Sequence, residues 1–369
     1  MNNALNLQEI DQEQALNLSK FFIRSQQNLF IFGRRGVGKT EITLQAALEC
    51  DYKVHYVNLS VIERPDLAGY PNMNAEGDIV TYKSPDFLPK LAENAKPKSI
   101  ILFDEVDKAP PEVTAPLLEI LQFRKINGRK IDAASCILTG NLINEGAYSN
   151  QISTALLDRG PKYLLNFSFE KWIDWAKSNN VHDLILGFLR SNPDFACGKT
   201  EDSCYASPSP RGWTQSSTAL FKARDLKIVD IESISQIVSG FVGSEAGLRF
   251  KIWYEHYRKF EPFIHSLIES GFMQMDYNSL SPTEKVVFVI SACYHAKHKA
   301  LLEKVKSKNR FTFLENLCKF FINYQIDHEL TLIGLNNSFD FDMITKNKFY
   351  ECVEFFDFFK KVNEKIVKK

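Results

Sequence analysis

Apolar and polar positions follow two different rhythms along this chain, and the change falls near Phe169. Before it, short apolar runs recur between turn residues: LFIF at 29–32, VHYVNLS at 54–60, IILF at 100–103 and SCILTG at 135–140. Runs of this length, bounded by glycine or acidic residues, predict buried strands, and the helical spacing between them predicts βαβ units with a parallel sheet. Helical spacing is seen over 5–27 (Ile10, Ala15, Leu18, Phe21, Phe22), over 41–49, and around 91–95. A further helix is expected within 108–121, where prolines stand at its start. Asn127-Gly128 inside FRKINGRKI (123–131) predicts a β-hairpin. Residues 63–89 have little periodicity and read as a long insertion, of the kind that is more often functional than filler.

After Phe169 the pattern is helical: KWIDWAKS, VHDLILGFLR, 216–222 and 231–242. Beyond Gly247 it becomes helical and aromatic-rich, as in RFKIWYEHYRKF, EKVVFVISACYHA, FTFLENLCKFFINYQI and ECVEFFDFFKKV. Aromatic stripes at helical spacing read as core. The lysine-rich stretch 297–310 reads as a solvated helix face.

The strongest chemical signal begins where the first apolar run breaks, in LFIFGRRGVGKTEIT (29–43), which contains a complete G-x-x-x-x-G-K-[ST]. Gly33, Gly36 and Gly38 allow the backbone to fold around phosphate with its N–H groups inward. Lys39 can then reach the β- and γ-phosphates, Thr40 can place its hydroxyl on Mg²⁺, and the helix that begins here aims its positive end at the same anion. The nucleotide-binding set is therefore Gly33, Gly36, Val37, Gly38, Lys39, Thr40 and Glu41. IILFDE (100–105) adds two acids at the carboxyl end of a buried strand, where ligands bind in open α/β sheets. Asp104 suits the Mg²⁺ shell beside Thr40, and Glu105 suits orienting or deprotonating a water. Asp107 reads as a loop acid of minor role. Asn141 ends the next apolar run, where an amide can hold that water. Arg159 follows a short helix, and a C-terminal cap of that helix is the lesser reading of it on sequence alone. Arg124, Lys125, Arg129 and Lys130 make the hairpin basic, either as a solvated element or as one that touches a substrate or a neighbouring subunit.

Length and charge bound these expectations. The 369 residues suffice for two or three domains: an α/β nucleotide-binding domain over 1–168, a helical lid over 169–250 and a helical C-terminal extension over 251–369. With 45 basic and 45 acidic side chains, a broad attraction to nucleic acid or an anionic membrane is not indicated. The start of the chain lacks the pattern of a secretory signal, and no apolar run approaches the roughly 18 residues of a membrane span, so a soluble cytoplasmic protein is expected. Seven scattered cysteines suit a reducing compartment without disulfides. Cys197 with Cys204, and Cys293 with His295 and His298, lack the spacing of a metal site.

The ordered set GRRGVGKT, ERPDLAGY, ILFDEVDKAPPEV, the Asn-Gly hairpin, ILTGN, STALLDRG and SPRGW resembles the MoxR-like AAA+ ATPases of the dynein-related group over about 30–213. The resemblance implies that Lys39 and Thr40 form Walker A, Asp104 and Glu105 form Walker B, and Asn141 is sensor 1. It implies that Arg159 is the arginine finger of the adjacent subunit's site, and that Arg211 is the lid arginine, sensor 2. The insertion and the hairpin would then face a ring pore. Arg34 and Arg35 depart from the family by replacing the proline pair common there, which leaves the backbone cradle and Lys39 intact. The same resemblance implies Mg-ATP hydrolysis by a hexameric ring acting on a protein client, often with a von Willebrand factor A-type partner. Alternatives are a nucleic-acid motor or loader, a slowly hydrolysing nucleotide-gated scaffold, and GTP in place of ATP.

Overall fold

The computed structural model describes residues 7–74, 77, 80–83, 85, 87–91, 96–141, 152–198, 207–302, 309–339 and 341–364. Two units emerge, one of Met1–Trp175 with Ser209–Arg211, the other of Ala176–Pro208 with Gly212–Lys369.

The first unit is built on a six-stranded, all-parallel sheet. Its elements in chain order are β1 (Gln8–Ile10), α1 (Gln12–Arg24), β2 (Leu29–Gly33), α2 (Lys39–Glu49), β3 (Lys53–Asn58), α3 (Arg64–Ala68), β4 (Tyr70–Met73) and β5 (Val80–Lys83). There follow β6 (Ser99–Asp104), α4 (Thr114–Phe123), β7 (Lys125–Ile126), β8 (Arg129–Lys130), β9 (Ser135–Gly140), α5 (Thr154–Leu157), β10 (Lys162–Leu165) and α6 (Phe169–Ser178). Spatially the large sheet runs β1-β10-β2-β9-β6-β3. The apolar runs form its centre because a parallel strand covered on both faces needs apolar side chains throughout; Leu29, Phe30, Ile31, Ile100, Ile101 and Phe103 are fully buried. Registers set the carboxyl ends side by side: Gly33 opposite Leu165, Phe32 opposite Gly140, Phe103 opposite Leu138, and Asn58 opposite Asp104.

Three local expectations are corrected. The helix expected over 5–27 gives its first residues to β1, where Ile10 pairs with Leu165. The helix itself starts after Asp11, which accepts from the Gln14 N–H while the Gln14 side chain accepts from the Asp11 N–H, a reciprocal cap that fixes the boundary. Phe21 is 59% exposed rather than packed. Leu91 lies outside any helix: it donates its N–H to the Lys130 carbonyl, and Lys90 bridges Ile131, so this stretch edges the hairpin; residues 92–95 lie outside the described residues. The insertion contains α3 and an exposed antiparallel pair, β4 with β5.

The second unit is helical: α7 (Asp183–Ser191), α8 (Pro210–Asp225), α9 (Ile231–Val242), α10 (Ser244–Ser270), α11 (Pro282–Leu302), α12 (Asn309–Asn323), α13 (His328–Ser338), α14 (Phe341–Lys346) and α15 (Val353–Glu364). Its aromatic residues form the core, with Phe188, Phe250, Phe288, Phe320, Phe339 and Phe355 fully or almost fully buried. Within the basic stretch, Lys297 and Lys299 are still on α11 and pair with Asp183 and Glu269, while 303–308 lie outside the described residues. Among the described residues no helix is long and apolar enough to cross a membrane.

Candidate functional site

Gly33 closes β2 where a Cβ would stand 2.7 Å from the Leu165 carbonyl oxygen, so the strand can lie this near β10 only without a side chain. Gly36 (φ 74°) and Gly38 (φ 104°) adopt the left-handed backbone that carries the turn into α2. Val37 is buried between them and Glu41 is exposed in the helix's first turn. Lys39 is 8% exposed, and its Nζ donates to the carbonyls of Gly33 (2.7 Å) and Arg34 (2.8 Å) and to Asn141 Oδ1 (3.1 Å). A buried ammonium is tolerated because oxygen dipoles replace its water.

Asp104 ends β6 beside this lysine's helix. Its Oδ2 accepts from Thr40 Oγ1 (3.0 Å) and Tyr56 OH (3.2 Å), and its Oδ1 accepts from the Glu105 N–H (2.9 Å) and Thr139 Oγ1. Burial, and then the Asp104 charge, push the Tyr56 hydroxyl above its usual range, so it stays a donor. Tyr56 and Thr139 escaped the sequence reading. Thr139 is a hydroxyl at 0% exposure in an apolar strand, which is the signal that marks it.

Glu105 turns the chain sharply with φ 57°, and its Oε2 meets Lys108 Nζ at 2.7 Å. That turn carries Asp107 inward to 2% exposure, where its carboxylate accepts from the Asn141 N–H (2.8 Å) and from Asn141 Nδ2 (3.4 Å). The expectation of a minor loop acid is thus replaced by a buried one tied to Asn141. Gly140 makes room, since a Cβ there would come within 2.9 Å of Val106 Cγ1 and 3.1 Å of Asp107 Oδ1.

Arg211 joins this group through its N–H, which donates to the Gly36 carbonyl (3.1 Å), and its charge is felt at Tyr56. Arg159 does not join. It precedes β10 at the sheet edge where strands begin, and the Phe30 N–H bonded to Pro161 O (2.9 Å) sets that segment against the start of β2, while the loop leaves from the far end. Arg159 Nη1 is 3.9 Å from Asp158, and its Nε is buried without a hydrogen-bond partner among the described residues.

Arg124 also departs from expectation. Its guanidinium turns inward to Asn28 Oδ1 and to the carbonyls of Ile120, Leu121 and Ala133, so it finishes α4 rather than charging the hairpin. Lys125, Arg129 and Lys130 are exposed, and the last two share an open depression with Lys90. Asn127 fastens the turn by donating to the Ala68 carbonyl. Cys204 lies outside the described residues, Cys197 is half-buried, and Cys293 is a buried thiol.

Residues 28–159 match the family model described as the AAA domain of the dynein-related subfamily. The ClpB chaperone protein of Mesorhizobium japonicum is 29% identical over 178 residues, 45% of this chain and 18% of that protein. The human mitochondrial disaggregase is 29% identical over 156 residues, 37% of this chain and 22% of that one. The chain therefore spans less than a quarter of the length of these curated relatives. Among solved structures, a RuvB variant of Thermotoga maritima aligns with a TM-score of 0.36 at 13% identity, covering 70% of this chain and 73% of that one. With its glycine loop leaving the centre of a parallel sheet and two acids ending the strand one removed from it, the segment 28–159 has the α/β fold of an AAA+ P-loop NTPase and matches the dynein-related AAA domain.

Proposed function

We propose that the protein is a Mg-dependent ATP hydrolase of the MoxR-like kind. The observation that supports it best is the convergence of Lys39, Thr40, Asp104 and Asn141, joined by hydrogen bonds at the carboxyl ends of β2, β6 and β9. These residues fit a magnesium-bound triphosphate. Gly36 and Gly38 hold the left-handed backbone that turns the loop, a conformation strained for a residue with a side chain, while Thr40 and Asp104 offer the hard oxygen donors Mg²⁺ takes. Bound Mg-ATP would supply the phosphoryl group and a divalent charge to polarise it.

The chain's own residues supply the rest. Lys39 exchanges the Gly33 and Arg34 carbonyls for phosphate oxygens, and the backbone N–H groups of 34–40 hold the same anion. Glu105 orients and deprotonates a water, with Asn141 as its second hydrogen-bonding partner. Arg211 reads the end of the phosphate chain. Arg159, placed at the opposite sheet edge, serves the site of a neighbouring copy, which makes a head-to-tail, hexameric ring the assembly expected.

For the client, the chaperone and disaggregase names of the partial relatives support remodelling or maturation of a protein; a cytoplasmic setting and a von Willebrand factor A-type partner rest on the sequence resemblance alone. Exposed Lys125, Arg129 and Lys130 favour a second reading, a motor on nucleic acid. DNA-stimulated, salt-sensitive turnover would select that one, and stimulation by protein alone the first.

The test is steady-state hydrolysis of Mg-ATP and Mg-GTP. Glu105→Gln is expected to lower kcat about 100-fold or more while nucleotide still binds, and Lys39→Ala to abolish binding. Unchanged turnover in Glu105→Gln overturns the assignment.

A further inference from the structure

We propose that Asp107 is a positioning residue: its carboxylate fixes which end of the Asn141 amide faces Lys39. This rests on the assignment of Lys39 and Asn141 to a nucleotide-hydrolysing site and deepens it. The two ends of a carboxamide have nearly the same shape and opposite polarity, so packing alone does not choose between them. Charge does. Asn141 stands between a carboxylate and an ammonium, with Nδ2 toward Asp107 Oδ2 (3.4 Å) and Oδ1 toward Lys39 Nζ (3.1 Å). Rotating the amide by half a turn would set N–H against ammonium and carbonyl oxygen against carboxylate, two repulsive contacts in place of two attractive ones.

Burial amplifies the choice. Asp107 is 2% exposed, so its charge acts through little water, and both hydrogen bonds it makes among the described residues run to Asn141. The bond from the Asn141 N–H (2.8 Å) also fixes where the chain leaves β9, so backbone and side chain are set by one group. The left-handed Glu105 delivers this carboxylate under the strand, and the missing side chain of Gly140 admits it. Carboxylate, amide and ammonium then form a row of alternating polarity whose bonds reinforce one another. Asp107 acts through Asn141; the residue that meets the phosphate and the water is the asparagine.

The experiment is a double-mutant cycle on the full chain with Asp107→Asn and Asn141→Ala, read in three ways: kcat, Kd for a fluorescent ATP analogue, and the midpoint of denaturant unfolding without nucleotide. Asp107→Asn keeps the size of the side chain and removes its charge. It is expected to lower kcat by about tenfold with Kd changed by less than about threefold. In the Asn141→Ala background it is expected to change kcat by much less, because the amide it orients is gone, while the unfolding midpoint still senses the bond to the retained backbone N–H. Wild-type kcat in Asp107→Asn would show a space-filling role and overturns the proposal. Equal effects of Asp107→Asn on kcat in both backgrounds overturn it too, while leaving the assignment of the hydrolytic site in place. If Asn141→Ala itself turns over at the wild-type rate, that assignment and this proposal fail together.

Discussion

Gly36 shows how narrowly single residues are specified in the phosphate loop. Its φ of 74° would strain any L side chain by roughly 1–2 kcal/mol, and a Cβ would come within 3.0 Å of Ser209. Gly36→Ala is therefore expected to weaken ATP affinity by about tenfold, since the loop must open by some tenths of an ångström, and equilibrium titration with a fluorescent analogue measures it. That Lys39, Thr40 and Asp104 come together was legible in the sequence, because the glycine turn and the strand that ends in an acid are set by short, fixed intervals. Tyr56, Thr139 and Asp107 were not. Each takes its role from a neighbour distant in sequence, Asp104 for the first two and Asn141 for the third, and only strand register reveals that.

At the scale of elements, the central strands were legible for the same reason they are stable, burial on both faces. β1 was hidden because its three residues carry no period, and the helical spacing of the residues after them extends backward across it. Arg124 was assigned to the wrong element: it stands beside the basic hairpin in sequence, yet its left-handed backbone ends α4 and directs the guanidinium inward. Arg124→Met is expected to cost about 2–3 kcal/mol, the value of the charge-assisted hydrogen bonds lost, with the Ala133 carbonyl and Asn28 Oδ1 deprived of the guanidinium, seen as a lower urea midpoint with nucleotide binding retained. In the helical unit, Glu284 accepts from the Ser281 N–H and hydroxyl and from Lys259, which hold its carboxyl down to about 2. The stability this gives is full above the ordinary carboxylate range and lost as pH falls from about 4.5 toward 2. Glu284→Gln is expected to flatten the loss of melting temperature between pH 5 and pH 3.

For the whole molecule, the placement of Arg159 away from Lys39 and Asp104 is what the proposed sharing of a site between neighbouring copies requires. Specific ATPase activity is expected to rise with protein concentration, and Arg159→Ala mixed into wild type to depress it more than in proportion to its share. Flat activity, indifferent to the mutant, would make Arg159 a structural arginine. The helical half illustrates the limit of legibility at this scale: its aromatic core could be read from spacing, but a core states how an element is held and leaves open what it acts upon. One connection in the sheet has a mechanical meaning. β10 and β2 are bonded in register from Lys162 opposite Phe30 to Leu165 opposite Gly33, and the absent Cβ of Gly33 seats one strand hard against the other. Close-packed strands resist compression, so a displacement of the segment around Arg159 is expected to be passed along the pair to the mouth of the loop.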